Sequence, residues 1–209
     1  MNSTNKKIAV IGGGVAGLLA AVTVADAGAE VFLFEKMNRV GLKMGITGKG
    51  RCNITNSAPI TDFISKTPGN GKFLFSAYHK FSNTDLLDLF HTWGLETKVE
   101  RGGRVFPASD SAQEVRRLFM QLLEEKHVKL HLSEPVLHIL TENKKVIAVQ
   151  TEKGRYSVDA VILCTGGKSY PRTGSTGDGY AMAAELGHTI VPVRPALVPV
   201  SYTHLRAHE

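Results

Sequence analysis

The sequence predicts an α/β fold with a central parallel sheet and an antiparallel β-meander attached to it. Three observations carry this expectation. A short apolar run ending in glycines is followed by a helix-like stretch of small and apolar residues and then a second apolar run. Between Val128 and Ser157 the pattern changes to strand-like runs separated by short polar turns. A uniformly apolar run, Ala160 to Cys164, then ends in Thr165-Gly166-Gly167, as a strand returning to a buried sheet would.

Taken in order, Lys7 to Ile11 ("KIAVI") is a buried parallel strand, rich in β-branched residues. Val15 to Ala27 is a helix stopped by Gly28, and Glu30 to Phe34 is the second strand, with Glu35 at its carboxyl end. These form a β-α-β unit. Residues 41 to 72 are rich in glycine, asparagine and proline and read mainly as loop. "NTDLLDLFHTWG" (83–94) has helical spacing, with Asn83 or Thr84 as cap and Gly94 as stop. In "SAQEVRRLFMQLLEEK" (111–126), Ser111 and Glu114 have capping-box spacing, and Val115, Leu118, Phe119, Leu122 and Leu123 form one apolar face. "VKLHL", "VLHIL", "VIAVQT" and "RYSVDAVILCT" are strands, the middle ones joined by turns short enough for a meander. Gly177 to Leu186 is a helix with Gly187 as its stop.

The chemistry begins at "GGGVAG". Gly12, Gly14 and Gly17 have G-x-G-x-x-G spacing, which alone is a weak signal. Here it follows a strand and opens a helix, and Glu35 lies 18 residues beyond Gly17, close to the ~20 expected for a ribose-binding acid. That context makes it a Rossmann-like dinucleotide fingerprint. Gly12 allows the tight turn, Gly14 lets a pyrophosphate approach the backbone at the positive helix end, and Gly17 lets the helix pack closely. Glu35 accepts from the adenosine ribose and repels a 2′-phosphate, which disfavours NADP there. The fingerprint by itself does not separate NAD from FAD. The Thr-Gly-Gly element after a meander favours FAD, because a plain NAD domain continues with further β-α units.

"GITGKGRCNITN" (45–56) holds glycines, Lys49, Arg51 and Cys52 with no acid. It is no Walker A loop: Lys43 stands where the first glycine belongs and Gly50 where Ser or Thr belongs. For Cys52 a packing or cofactor-contact role is favoured over a nucleophile, since no activating group adjoins it in sequence.

Composition sets the remaining bounds. The 209 residues fit one domain, or one domain and part of another, and 43% hydrophobic and 21% charged residues are ordinary for a globular chain. A net charge of +6, without a basic run or basic–aromatic interleaving, points to an anionic cofactor rather than to nucleic acid. Two distant cysteines and scattered histidines offer no metal spacing, so no metal site is expected, and low cysteine use fits the cytoplasm. Three consecutive glycines and Asp26 argue against an N-terminal secretory signal, and no uninterrupted apolar run reaches the ~18 residues of a membrane span.

Four blocks together, "IAVIGGGVAGLLAA", "GLKMGITGKGRCNITN", "GRVFPASDSAQEV" and "AVILCTGGKSYPRTGSTGDGYAMAAELGH", resemble the HI0933-like flavoproteins over roughly residues 7 to 200. That family includes reductases of bile-acid dehydroxylation and an aminoacetone oxidase. The resemblance implies an FAD-binding domain of the glutathione-reductase type and an oxidoreductase that transfers hydride through the flavin. The acceptor would be a conjugated C=C bond, or a small amine would be the donor, with O2 as oxidant in the amine case. Gly12, Gly14 and Gly17 would hold the pyrophosphate, and Glu35 and Lys36 the adenosine ribose. Lys43, Gly48, Gly50, Arg51, Cys52 and Asn53 would face the flavin end, Arg51 against charge developing near flavin N1. Val136 would meet the adenine through its backbone, and Thr165, Gly166 and Gly167 would close over the cofactor. No second dinucleotide fingerprint is present, so NAD(P)H would visit the flavin as a transient donor. The partner implied is a small-molecule substrate. Family members run to about twice this length, so the resemblance implies the N-terminal portion of such an oxidoreductase, with a catalytically incomplete nucleotide-binding fragment as the alternative; residues 1–200 would form the FAD-binding domain and 201–209 a non-native or disordered tail.

Overall fold

The consecutive buried positions along the first two strands already require cover on both faces of the sheet. In the computed structural model, which describes residues 5–194, both faces are covered. Strand β1 (Lys7–Ile11), helix α1 (Val15–Asp26) and strand β2 (Glu30–Glu35) form the expected β-α-β unit, with β1 and β2 parallel in the register Lys7↔Glu30 to Ile11↔Phe34. Val10, Val31 and Leu33 point to one face, where Leu18 and Val22 of α1 pack. Ala9, Ile11 and Phe34 point to the other. Each fully buried Leu or Val here contributes on the order of 2 kcal/mol, so a strand that packs on both faces reads as uniformly apolar.

The stretch expected as loop holds more structure. A 3-10 segment (Met44–Gly50), strand β3 (Thr55–Asn56), helix α2 (Ile60–Lys66), a second 3-10 turn (Gly71–Leu74) and helix α3 (Phe75–Lys80) follow β2. These pieces are too short to show a hydrophobic period. Local contacts hold them: Lys66 pairs with Asp62 at 2.8 Å, and the Phe63 and Tyr78 rings lie 5.6 Å apart. Helix α4 (Asn83–Thr92) is present, but its cap is Ser82, one residue before the expected pair. The Ser82 hydroxyl accepts from the Asp85 amide and the Asp85 carboxylate accepts from the Ser82 amide, a complete capping box. Strands β4 (Thr97–Glu100) and β5 (Arg104–Pro107) form a hairpin, and β5 also pairs with β3, giving an antiparallel sheet of order β3-β5-β4.

Helix α5 (Ala112–Glu125) buries Val115, Phe119, Leu122 and Leu123 as its spacing predicts. The capping box expected at Ser111 does not form: the Ser111 side chain makes no cap bond, and the Glu114 carboxylate accepts from the Ser109 hydroxyl instead. Strand β6 (Lys129–Leu132) pairs parallel with β2, so "VKLHL" belongs to the central sheet. The meander is β7 (Val136–Glu142), β8 (Lys145–Thr151) and β9 (Arg155–Ser157), all antiparallel. Strand β10 (Ala160–Leu163) returns to pair parallel with β1. Helix α6 (Asp178–Glu185) closes the described part. The segment "PALVPV" and the tail 201–209 lie outside the described residues.

The central sheet is thus fully parallel, in the order β10-β1-β2-β6. Helices α1 and α5 cover one face, while Val136, Val149, Val158 and Met182 from the meander and α6 cover the other. From β1 the chain moves outward through β2 to β6, then crosses back to β10. The direction reverses around β1, and in open α/β sheets ligands bind outside the carboxyl ends of the strands at such a reversal.

Candidate functional site

A cleft of about 740 Å³ opens at that position, within the range of small-molecule and cofactor sites. Its floor is the turn after β1. Gly12 has φ +107°, and its amide donates to Phe34 O at 2.8 Å. A Cβ on Gly12 would collide with the Cys164 carbonyl, and one on Gly17 would overlap Gly12 O. Helix α1 is therefore pressed onto the strand end. A Cβ on Gly14 would meet no protein atom within 4 Å. Gly14 is also the N-cap of α1, with no side-chain cap and no acid in the first turn. Among the described residues the amides of Val15 and Ala16 meet no protein acceptor, and both residues line the cleft. This is the uncapped, positively polarised helix end that anions favour.

Glu35 stands at the wall, 8% exposed. Its Oε2 accepts from the Gly13 amide at 2.7 Å and its Oε1 from the Met37 amide at 2.8 Å. Each oxygen keeps a further acceptor site. Lys36 and Lys43 also line the cleft. Lys36 Nζ donates to Thr176 Oγ1 at 2.5 Å and to Asp178 Oδ2 at 2.6 Å, and Lys43 Nζ donates to Ser175 Oγ at 2.6 Å. Because β1 lies between β2 and β10, these contacts from the loop after β2 to the loop after β10 arch over the glycine turn. Burial would raise the Asp178 carboxyl, but hydrogen bonds from Lys36 and Thr176 hold it below its ordinary value.

The Gly48–Asn53 loop divides. Cys52 and Asn53 line the cleft, whereas Gly48, Gly50 and Arg51 do not. Gly48 has φ +58°, and a Cβ there would lie 2.7 Å from the Phe106 ring. Arg51, expected at the flavin end, lies outside the cleft lining and has partners of its own. Its guanidinium carbon sits 4.1 Å above the Phe106 ring centroid, and Nη1 donates to Glu100 at 2.8 Å and Asp110 at 3.4 Å. Lys98 completes this cluster at 2.5 Å from Asp110 and holds its carboxyl below the ordinary range. With Glu100 and Phe106 of the β4–β5 hairpin and Asp110 just beyond it as partners, Arg51 ties the loop to that hairpin. Cys52 adopts φ +65° and is 4% exposed. Burial pushes its thiol up to about 11, against a hydrogen bond with Thr47 that works the other way. It is a neutral thiol at neutral pH.

Val136 and Thr165 line the cleft, as does Gly166 at φ +73°. Gly17 is buried and Gly167 partly exposed, and neither lines the cleft. The sequence reading missed Glu134, Ser175 and Gly179, all cleft residues. A Cβ on Gly179 would overlap Thr165 Oγ1, so the glycine in "GDGY" sets how closely α6 meets the Thr165 strand end. Glu134 is 3% exposed, and both its oxygens are occupied by donors from Thr151, Tyr156, His131 and Lys153. No spacing rule flags a lone acid before a proline. Among the described residues, no three His, Cys, Asp or Glu side chains gather as metal ligands, and no helix is long and apolar enough to cross a membrane.

Fold and cleft together define a Rossmann-like α/β domain. The chain belongs to the HI0933-like family of flavoproteins, whose Rossmann domain profile matches residues 6–202. It is 38% identical to a 3-dehydro-bile acid delta(4,6)-reductase of Clostridium scindens over 92% of this chain and 46% of that protein. It is 28% identical to a ribosomal RNA dihydrouridine synthase of Haemophilus influenzae, over 92% of this chain and 48% of the relative. The chain thus spans about half the length of the curated relatives it matches. By fold it is similar to a flavocytochrome c3 fumarate reductase, with TM-score 0.62 and 21% identity over 88% of this chain and 41% of that one. A 3-ketosteroid dehydrogenase from Rhodococcus jostii gives TM-score 0.60 and 15% identity, over 81% and 48%.

Proposed function

We propose that this chain is the FAD-binding part of an oxidoreductase that moves hydride to or from a C–C bond conjugated with a carbonyl. The observation that carries the reading is the Gly12–Gly14 turn, where an uncapped helix end and an open Gly14 face the cleft beside Glu35. The residues present fit FAD. Amides at Gly14, Val15 and Ala16 would bind the pyrophosphate. The free acceptor sites of Glu35 would take the ribose hydroxyls, with Lys36 adjoining, and the Val136 backbone would meet the adenine. Lys43, Cys52 and Asn53 would line the far end, and Thr165 and Gly166 would close the wall. Bound FAD would supply a two-electron hydride carrier, with NAD(P)H as transient donor. Cys52, being a neutral thiol, shapes the wall and adds no charge to it.

Substrate class follows from the relatives' names. A 3-oxo-4,6-diene and the uracil ring each present a C=C bond conjugated with a carbonyl, and hydride addition to either is the same step. The higher identity to the bile acid reductase favours a small steroid-like substrate. The 28% match to the ribosomal RNA enzyme supports a second reading, in which the acceptor is a uridine. The first test is the visible spectrum: a bound flavin gives a band near about 450 nm. A colourless protein that fails to take up added FAD would defeat the reading for this chain, and tight binding of NAD instead would favour a plain dehydrogenase. Assaying the corresponding full-length protein with NADH against a 3-oxo-4,6-diene bile acid and against ribosomal RNA separates the two substrate classes.

A further inference from the structure

The best-connected side chain beside the cleft has no part in the fingerprint. Glu134 lies in the link from β6 to β7. Its Oε1 accepts from Thr151 Oγ1 and Tyr156 Oη, each at 2.8 Å, and its Oε2 faces His131 Nδ1 at 3.2 Å and Lys153 Nζ at 3.3 Å. One buried carboxylate therefore joins the end of β6 to the β8–β9 hairpin. With both oxygens engaged, it is not itself an acceptor for a ligand.

The backbone around it explains why such an anchor is needed. Ser133 has φ +49°, a conformation that non-glycine residues seldom hold without support. The Ser133 amide donates to Met37 O at 3.0 Å and the Glu134 amide to Glu35 O at 3.1 Å. The segment is thus stitched to the stretch that carries the Glu35 carboxylate and its Met37 donor. Two residues later Val136 lines the cleft. The same post fixes both the ribose-side wall at Glu35 and the wall at Val136.

We propose that Glu134 is a positioning residue for the adenosine half of the bound cofactor, holding Glu35 and the Val136 backbone at a fixed separation. The proposal rests on the FAD reading given above. It requires that loss of the anchor weaken adenosine recognition and leave the flavin environment unchanged.

The test uses the full chain, with titrations of FAD and of ADP performed well below the unfolding temperature, where every molecule is folded. Unaltered protein should bind both. Glu134→Gln keeps the side chain's size and places a donor among four donors. It should weaken ADP and FAD in parallel by about tenfold, while the flavin band of the saturated variant keeps its wild-type shape. Tyr156→Phe removes one donor without burying a new polar group. It should weaken ADP about threefold, and it keeps the test open if Glu134→Gln does not fold. The double variant should bind ADP no more weakly than Glu134→Gln alone, because the tyrosine acts through the carboxylate. Unchanged ADP affinity in a folded variant, or an altered flavin band, would overturn the proposal while leaving the FAD reading intact. Failure of the unaltered chain to bind FAD and ADP would overturn both.

Discussion

Gly14 and Gly17 belong to one motif yet answer to different neighbours. A methyl group on Gly17 would overlap the Gly12 carbonyl, whereas one on Gly14 would point into empty cleft. Gly17→Ala should therefore cost about 3 kcal/mol or more of stability, read as a shift in the urea midpoint. Gly14→Ala should change stability by less than about 0.5 kcal/mol, and weaken FAD by at least about tenfold through lost access to the helix end. Cys52 makes a separate case. With the thiol held up near 11 by burial, it should resist iodoacetamide at pH 8 in the folded protein and react once urea unfolds it. The turn at Gly12 and the close packing at Gly17 were legible because spacing alone encodes a backbone shape. The partners of Arg51 were not, because Glu100, Phe106 and Asp110 lie 49 to 59 residues on, and no local pattern names them.

Among the elements, those with a long hydrophobic period were legible and those held by local polar contacts were not. Helix α5 shows its buried face in the sequence, while α2 and α3 show none. Caps depend on which backbone the chain finds: the expected box at Ser111 is replaced by Ser109, and the formed one is at Ser82. Ser82→Ala should accordingly cost about 1 kcal/mol and Ser111→Ala much less as a cap, measured by urea unfolding. The link before β7 adds a pH dependence. Burial alone would raise the Glu134 carboxyl, but its hydrogen bonds outweigh this and bring it down to about 2 from 4.5. Its contribution is then fully present above pH 4.5 and is lost as pH falls through 2. The size is about 3 kcal/mol. Urea midpoints between pH 2 and 5 should fall with acid in the unaltered protein and fall less steeply in Glu134→Gln, where the lowered Asp110 and Asp178 carboxyls still contribute.

For the whole molecule, binding and stability are one measurement. FAD at a hundred times its Kd should add about 2.7 kcal/mol to unfolding, visible as a rise in Tm that NADP does not reproduce. The α/β class, the parallel sheet and the meander were all readable beforehand, because each strand's cover is written in its own apolarity. The cleft's second wall was not, since Glu134 meets Glu35 only through the pairing of β6 with β2, and Ser175 meets Lys43 only through the crossover. That crossover has a temporal consequence. The link between Lys7 and Asp159 beside the β1–β10 pairing closes over a sequence separation of 152 residues, and loop closure of that length must come before its contacts give anything back. During synthesis, the glycine turn emerges early and waits without its neighbour until Ala160–Leu163 arrive. Refolding followed by stopped flow should show flavin capture only in the slowest phase, once β10 has closed beside the glycine turn.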